Sequence, residues 1–292
     1  MSTILKCTNI CKSYGNTKVI SNLELQLEEN TIYGLLGRNG AGKTTLLNMI
    51  TGSFFPDSGE IQVAGLLLNR GDTPKEACYV REKNLFFSDA KVIEILDMAS
   101  AFHPNWDGAF ANDMLKLFRL DPSMKIRKLS RGMESVVGNI IGLASRASLT
   151  IYDEPVLGLD ALMREKFYSA LMEDYANHPR TIVISTHLID EIAKVVEQVF
   201  ILEAGSILLK DSVDHLQNRS LLLRGNSEAL RAFTRGKRVI YQESYGHGML
   251  MAIYDTLSES DKIEADKLGI TMDGIPLQKL FAYLVEGGKG FE

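Results

Sequence analysis

Residues 37–44 read Gly-Arg-Asn-Gly-Ala-Gly-Lys-Thr, which fills the phosphate-binding pattern G-x-x-x-x-G-K-[ST] at every fixed position. The apolar run at residues 31–36 predicts a buried strand before this loop, and residues 43–51 predict a helix after it. Strand, loop and helix in this order form the context that the pattern needs. The sequence therefore predicts a loop that binds a nucleoside triphosphate together with Mg²⁺.

The residue types in this loop match the chemistry of phosphate binding. Its glycines allow backbone angles that a β-carbon forbids, so that successive N–H groups can converge on phosphate oxygens. Lys43 can reach the β- and γ-phosphates, and the Thr44 hydroxyl is placed to ligate Mg²⁺. The helix that follows adds the positive end of its dipole. The residues predicted to contact the nucleotide from this loop are Gly37, Arg38, Asn39, Gly40, Ala41, Gly42, Lys43, Thr44 and Thr45.

Composition indicates an ordinary globular chain with two domains, or one large domain and an appendage. The chain has 292 residues and a formal net charge of −5, which argues against nucleic acid as a partner. The sequence has neither an apolar run near the roughly 18 residues of a membrane span nor the pattern of a signal peptide. We expect Cys7, Cys11 and Cys78 to be reduced thiols in a cytosolic protein.

The order of the predicted elements indicates an α/β fold. Residues 2–36 alternate like antiparallel strands, and residues 91–120 have a mostly helical pattern. Farther along, residues 136–144 predict an apolar helix, and residues 149–152 and 181–185 predict buried strands. Strands that alternate with helices are typical of a parallel sheet covered by helices.

The C-terminal residues, 217–292, predict a small α+β domain. Strand and helix patterns follow one another in the order β-α-β-β-α-β, with a further helix at residues 277–285. This is the order of a split βαβ, ferredoxin-like unit. The predicted domains are therefore residues 1–216, with a helical subdomain at about 84–145, and residues 217–292.

A second motif indicates what happens to the nucleotide. Residues 150–155, Thr-Ile-Tyr-Asp-Glu-Pro, form an apolar strand that ends in two carboxylates. Asp153 at the strand end is placed to hold Mg²⁺, usually through water. Glu154 is the natural group to orient and deprotonate an attacking water. Taken alone, such a pair is as often a solvated acidic turn, but after a phosphate loop hydrolysis is the better interpretation.

These motifs together resemble the ATP-binding cassette (ABC) ATPases over residues 2 to about 216. Residues 129–133, Leu-Ser-Arg-Gly-Met, are similar to the signature loop of that family, and residues 158–160, Gly-Leu-Asp, to its D-loop. His187 stands where the family has a switch histidine, and Tyr14 where it has an aromatic residue that stacks on adenine. The order of the motifs along the chain matches that of the family.

The resemblance implies a fold and a mechanism. The fold is a P-loop NTPase core with an antiparallel β subdomain and a helical subdomain, followed here by the small α+β domain. Two such cores pair head to tail around ATP, so that the signature loop of one subunit faces the γ-phosphate held by the other. The implied catalytic residues are Lys43, Glu154 and His187. The implied nucleotide contacts outside the phosphate loop are Tyr14, Ser130, Gly132 and Asp160.

The chain departs from the family pattern at two places. Arg131 and Met133 replace the third and fifth letters of the signature L-S-G-G-Q, and Arg131 could add a cation near phosphate or point to solvent. Glu82 stands where the family's Q-loop has glutamine. A carboxylate there can ligate Mg²⁺, yet it also adds negative charge beside a triphosphate. The predicted metal ligands are Thr44, Asp153 and Glu82.

A single cassette without membrane spans resembles the ATPase subunit of a multi-subunit transporter. Residues 102–107, 129–133 and 151–160 are most similar to a bacterial exporter subgroup that is often encoded beside GntR-type regulators and includes transporters of amphipathic peptides and antibiotics. The implied partners are a membrane-spanning permease and a second ATPase, identical or paralogous. The implied location is the cytoplasmic face of the cell membrane. The alternatives are a soluble regulatory or sensor ATPase and an ATPase that acts on nucleic acid or ribosomes.

Aromatic residues in the predicted helical subdomain bear on the permease. Phe86, Phe87, Phe102 and Trp106 lie where the family accepts a helix of its membrane partner. Exposed aromatic side chains would form such an interface. An equally good interpretation is that they form the core of the subdomain itself.

Overall fold

The computed structural model describes residues 2–246 and 248–287. Within these residues, no helix is both long enough and apolar enough to cross a bilayer. The thiols of Cys7, Cys11 and Cys78 are all free. Burial raises the pKa of Cys7 to about 12 and that of Cys78 to about 11, so both thiols stay protonated at neutral pH.

The chain forms two compact units, and the second unit takes a segment from inside the first. The first unit holds the chain up to His187 and the segment Gln198–Lys210. The second unit holds Leu188–Glu197 and the chain from Asp211 onward. The sequence patterns did not indicate that the segment after His187 belongs with the C-terminal residues.

An antiparallel sheet forms the N-terminal part of the first unit. Strands β1 (Thr3–Tyr14) and β2 (Thr17–Glu28) form a hairpin. β1 also pairs with β4 (Ser58–Val63), which pairs with β5 (Leu66–Leu67), so that the order is β2-β1-β4-β5. The second half of β2 alternates between buried and exposed residues, as a sheet with one face on the core requires. The predicted antiparallel subdomain is confirmed.

A six-stranded sheet carries the predicted site at one edge. Its strands are β3 (Ile32–Leu36), β6 (Ala77–Val80), β7 (Leu149–Asp153), β8 (Thr181–Thr186), β9 (Gln198–Glu203) and β10 (Ser206–Ser212). Their order is β10-β9-β3-β8-β7-β6, and the strands from β9 to β6 run parallel. Every residue of β3, β7 and β8 is buried, which explains their predominantly apolar sequences. Because parallel strands end at a common edge, the loops after β3, β7 and β8 meet there.

Several helices of the first unit start at side-chain caps that apolar periodicity does not detect. They are α1 (Lys43–Ile50), α2 (Val92–Ser100), α3 (Gly108–Leu117), a 3-10 turn (Ile126–Lys128), α4 (Arg131–Ala144) and α5 (Ala161–Asn177). The helical pattern over residues 91–120 is two helices, because the Asp107 carboxylate caps α3. The apolar pattern predicted that this helix starts at Val136, but α4 starts directly after its Ser130 cap. The pattern missed the first turn because that turn is mostly polar.

The second unit contains an antiparallel sheet of four strands. Its elements are α6 (Ile189–Ile192), α7 (Val213–Arg219), β11 (Ser220–Asn226), α8 (Ser227–Phe233), β12 (Val239–Tyr245), β13 (Gly248–Tyr254), α9 (Glu259–Lys267), β14 (Thr271–Gly274) and α10 (Leu277–Gly287). The sheet order is β12-β13-β11-β14, with the first and third strands at the centre. This is the arrangement of a split βαβ unit, so the predicted topology is confirmed.

Helix α6 joins the second unit through α10. Ile189 and Ile192 of α6 are buried, and α6 packs against α10. The Asp190 carboxylate accepts a hydrogen bond from the Gln278 backbone N–H at 3.0 Å, in the first turn of α10. An N–H at this place has no partner within its own helix, and a carboxylate there also interacts favourably with the helix dipole.

Asp190→Ala should loosen the start of α10, because the Gln278 N–H loses its acceptor. We expect a cost of about 1 kcal/mol, seen as faster hydrogen exchange in the α10 peptide by mass spectrometry. Asp190→Asn keeps an acceptor and should stay close to the wild type. Equal exchange in the alanine and asparagine variants would contradict a capping role.

Candidate functional site

The predicted phosphate loop lies between β3 and α1. Gly42 has φ +106°, and a β-carbon at this position would lie 2.7 Å from the Ile20 side chain. α1 begins at Lys43, and no side chain caps its first turn. The first N–H groups of an uncapped helix are free to bind an anion, and its dipole favours negative charge. The loop therefore fits a bound phosphate chain.

Lys43 supplies a positive charge within this loop. Its side chain is 7% exposed, and the ammonium donates a hydrogen bond to the Gly37 carbonyl at 2.7 Å. Burial lowers the pKa of Lys43, and the carboxylates of Glu154 and Asp153 act in the opposite direction. The ammonium is thus held between the glycine loop and the two predicted acids.

The first of these acids contacts the phosphate loop directly. Asp153 ends β7, is buried, and its Oδ2 accepts a hydrogen bond from the Thr44 hydroxyl at 2.8 Å. The Tyr79 hydroxyl on β6 lies 3.3 Å from the same oxygen. The structure therefore brings together two of the three predicted metal ligands, which lie far apart in sequence.

Both oxygens of the second acid have partners. Glu154 Oε2 accepts a hydrogen bond from the Thr186 hydroxyl at 2.9 Å, and Oε1 lies 2.8 Å from His187 Nδ1. The Glu154 backbone has φ +51°, a left-handed conformation that residues other than glycine seldom adopt. Such strain is concentrated at functional sites, where the surrounding structure holds it in place. The predicted catalytic pair Glu154 and His187 is therefore in direct contact.

The signature loop and the D-loop adjoin each other. A β-carbon on Gly132 would lie 2.5 Å from the Gly158 carbonyl oxygen, so only glycine permits this approach. Ser130 caps α4 and Asp160 caps α5, each through a side-chain oxygen that accepts a backbone N–H. Ser130 therefore has a structural role at the start of α4. Nucleotide contact by Ser130, Gly132 and Asp160 stays a prediction.

Glu82 and Tyr14, two further predicted site residues, do not contact the acidic pair through any hydrogen bond described above. Glu82 forms an ion pair with Arg131, with 2.9 Å between Oε1 and Nη2. Its role as a metal ligand is a prediction that the structure does not test. Tyr14 is 47% exposed at the end of β1, and the Lys12 ammonium lies 5.8 Å from its ring centroid. The tip of the phosphate loop, Arg38 to Gly40, is also exposed.

Comparisons with known proteins agree with these motifs. A sequence profile described as ABC transporter matches residues 20–157. The bacitracin transport ATP-binding protein BcrA of Bacillus licheniformis is 29% identical over a 308-residue alignment that covers 99% of each chain. The lantibiotic transport ATP-binding protein SrtF of Streptococcus pyogenes is 27% identical, over 74% of this chain and 93% of its own.

A solved structure described as the ATP binding subunit of an ABC transporter superposes with a TM-score of 0.67 at 25% identity. The match covers 74% of this chain and 92% of that one. Residues 20–157 lie in an ABC transporter ATPase domain. The domain binds and hydrolyses ATP, and the two relatives named above are ATP-binding proteins of transport systems. The resemblance drawn from the sequence motifs is confirmed at this level.

In this ABC ATPase site, the protein contributes mainly positioning and charge. Of the two acids, Glu154 is the one that contacts a histidine. Its carboxylate oxygens are oriented by hydrogen bonds, which suits Glu154 to accept a proton from water. The ring of His187 is exposed and has a second nitrogen, and its contact with the nucleotide stays a prediction. Lys43 holds a positive charge at the glycine loop, and its part in catalysis stays a prediction.

Thr186 and Tyr79 are site residues that the sequence reasoning missed. Thr186 orients Glu154, and Tyr79 orients Asp153. The position of Thr186 directly before His187, at the end of a buried strand, was a usable signal. Tyr79 gave none, because its contact depends on the pairing of β6 with β7.

Glu154→Gln should bind ATP but hydrolyse it about 10²–10⁴-fold more slowly, because the amide cannot accept the proton of water. The measurement is phosphate release under single-turnover conditions, with nucleotide binding followed by calorimetry. Glu165→Gln, an exposed acid on α5, is the matched control and should leave both quantities unchanged. Wild-type turnover in Glu154→Gln would rule out this residue as the base.

Proposed function

We propose that this chain powers the export of amphipathic peptides, such as peptide antibiotics, through a separate membrane-spanning permease. The observation that carries the proposal is the match to the bacitracin transport protein, which extends over 99% of both chains. The similarity therefore includes the second unit and not the ATPase domain alone. The resemblance of residues 102–107, 129–133 and 151–160 to the GntR-linked exporters agrees with this cargo class.

The working form is a head-to-tail dimer at the cytoplasmic face of the membrane, made of two copies of this chain or of this chain and a paralogue. Ser130, Arg131, Gly158 and Asp160 are exposed, and the two loops that carry them adjoin. They are therefore accessible to the nucleotide of a second subunit. The net charge of −5 supports a partner other than nucleic acid.

Thr44 and Asp153 would hold Mg²⁺. A hydroxyl and a carboxylate in contact at 2.8 Å beside the phosphate loop are oxygen donors of the kind that Mg²⁺ prefers. When bound, Mg²⁺ neutralises part of the charge on the β- and γ-phosphates. The protein's part is to hold these two oxygens together through the pairing of β3, β8 and β7.

A regulatory ATPase with little turnover is the alternative that Glu82 and Arg131 supported. In the structure their charges balance each other at 2.9 Å. Neither departure from the family pattern therefore argues by itself against turnover, and the alternative loses its support.

Exposed apolar side chains in the helical subdomain are candidates for the permease contact. Leu85 is 82% exposed, Phe87 70% and Phe102 78%. Phe86 and Trp106 are only partly exposed. Large apolar side chains at the surface favour protein contacts, since they lose unfavourable contact with water on binding. Phe87 and Phe102 thus support docking, and Trp106 supports packing within the subdomain.

Phe87→Ala should weaken binding to the permease without changing the melting temperature, because an exposed side chain contributes little to folding. Co-purification of the detergent-solubilised complex measures binding, and differential scanning calorimetry measures stability. Leu162→Ala removes an exposed apolar residue on α5 and should bind normally. A large drop in melting temperature for Phe87→Ala would mean that this residue belongs to the core.

The cargo is tested in a peptide-sensitive bacterium that co-expresses this chain with a candidate membrane-spanning permease from the same organism. Export predicts a several-fold higher inhibitory concentration of a peptide antibiotic such as bacitracin. Glu154→Gln should abolish the protection, because transport requires hydrolysis. Unchanged sensitivity with a correctly assembled, ATP-hydrolysing complex would contradict this cargo class.

A further inference from the structure

Two of the residues that depart from the family pattern, Glu82 and Arg131, contact each other. They are far apart in sequence, and each alone would place an unusual charge near the nucleotide. In the structure, Arg131 Nη2 lies 2.9 Å from Glu82 Oε1. Both side chains are exposed, so folding does not force the pair together as it would in a core.

Glu82 leaves the sheet at the edge that carries the acidic pair. It follows β6, which runs parallel to β7, with Val80 opposite Tyr152. Arg81, the preceding residue, donates hydrogen bonds to the Asn48 side chain of α1 at 3.0 Å and to the Ser53 hydroxyl at 2.7 Å. The backbone before Glu82 is thereby tied to the helix that follows the phosphate loop.

Arg131 reaches Glu82 from the signature loop. It is the first residue of α4, and its Cγ lies 3.5 Å from where a β-carbon of Gly158 would be. Its stem therefore lies along the D-loop while its guanidinium reaches Glu82. One side chain links the signature loop and the D-loop to the residues after β6.

The carboxylate of Glu82 acts electrostatically on Lys43 in the phosphate loop. Glu82 is among the carboxylates that oppose the lowering of the Lys43 pKa by burial, together with Glu154 and Asp153. An unpaired third carboxylate at this edge would repel the nucleotide phosphates. A guanidinium cancels that charge and is never deprotonated at physiological pH.

We propose that Arg131 is a positioning residue for Glu82: it holds this carboxylate through an ion pair within one subunit and so removes its repulsion from the bound triphosphate. Glu82 and Arg131 then act as one unit, because the charge of each residue compensates the charge of the other. The proposal rests on ATP binding by the phosphate loop, but neither on the cargo nor on the dimer.

A double-mutant cycle in the full chain tests the pair, with Glu82→Gln, Arg131→Ala and the double variant. Calorimetry with a non-hydrolysable ATP analogue and Mg²⁺ measures affinity. Arg131→Ala should weaken affinity about twofold to fivefold at low salt, and the loss should disappear when residue 82 is already glutamine. The effect should be larger for the triphosphate than for ADP and should shrink at high salt, which a purely structural role would not produce.

Arg131→Lys keeps the charge and should restore most of the affinity that Arg131→Ala loses. It also serves as the informative variant if the alanine protein does not fold. An equal loss from Arg131→Ala with Glu82 or with glutamine at residue 82 would overturn the proposal, since Arg131 would then act on something else. No loss from Arg131→Ala overturns it as well. Failure of the wild type to bind ATP would instead contradict the phosphate loop assignment.

Discussion

The contact between the Thr44 hydroxyl and the Asp153 carboxylate, at 2.8 Å, is the interaction on which the site depends. It joins the glycine loop after β3 to the end of β7, although β8 lies between these strands in the sheet. Parallel pairing sets the register, with Leu36 opposite Thr186 and Asp153 opposite Ser185. A change in any of these pairings would separate the phosphate loop from the acids. The buried strands therefore serve the chemistry as directly as the side chains do.

The same register holds Glu154, the predicted base, in an uncommon backbone conformation. The Glu154 N–H donates to the Ser185 carbonyl at 2.8 Å, while Thr186 and His187 occupy its two carboxylate oxygens. These contacts maintain a left-handed backbone whose cost is of order 1–3 kcal/mol. A carboxylate that is already oriented needs little rearrangement when a proton is transferred, which is how a rigid site contributes to rate.

The parts that could be predicted from the sequence are those in which local pattern and chemistry coincide. The phosphate loop has a fixed spacing, the acidic pair follows an apolar run, and the β-α-β-β-α-β order specifies its own sheet. Contacts that depend on tertiary register could not be predicted in this way. Tyr79 reaches Asp153 through strand pairing, and Arg131 reaches Glu82 across two loops. The start of α4 was misplaced because a serine cap and a polar first turn carry no apolar periodicity.

The assignment of Leu188–Glu197 to the second unit limits how the chain can be divided. A shortened protein that ended at Lys210 would keep α6 but lose α10, against which α6 packs. The buried side chains of Ile189 and Ile192 would then face water, only a few peptide bonds after the histidine that contacts Glu154. The C-terminal residues are therefore not a detachable appendage. Removal of this domain would therefore also require changes in α6, which lies between two chain segments of the first unit.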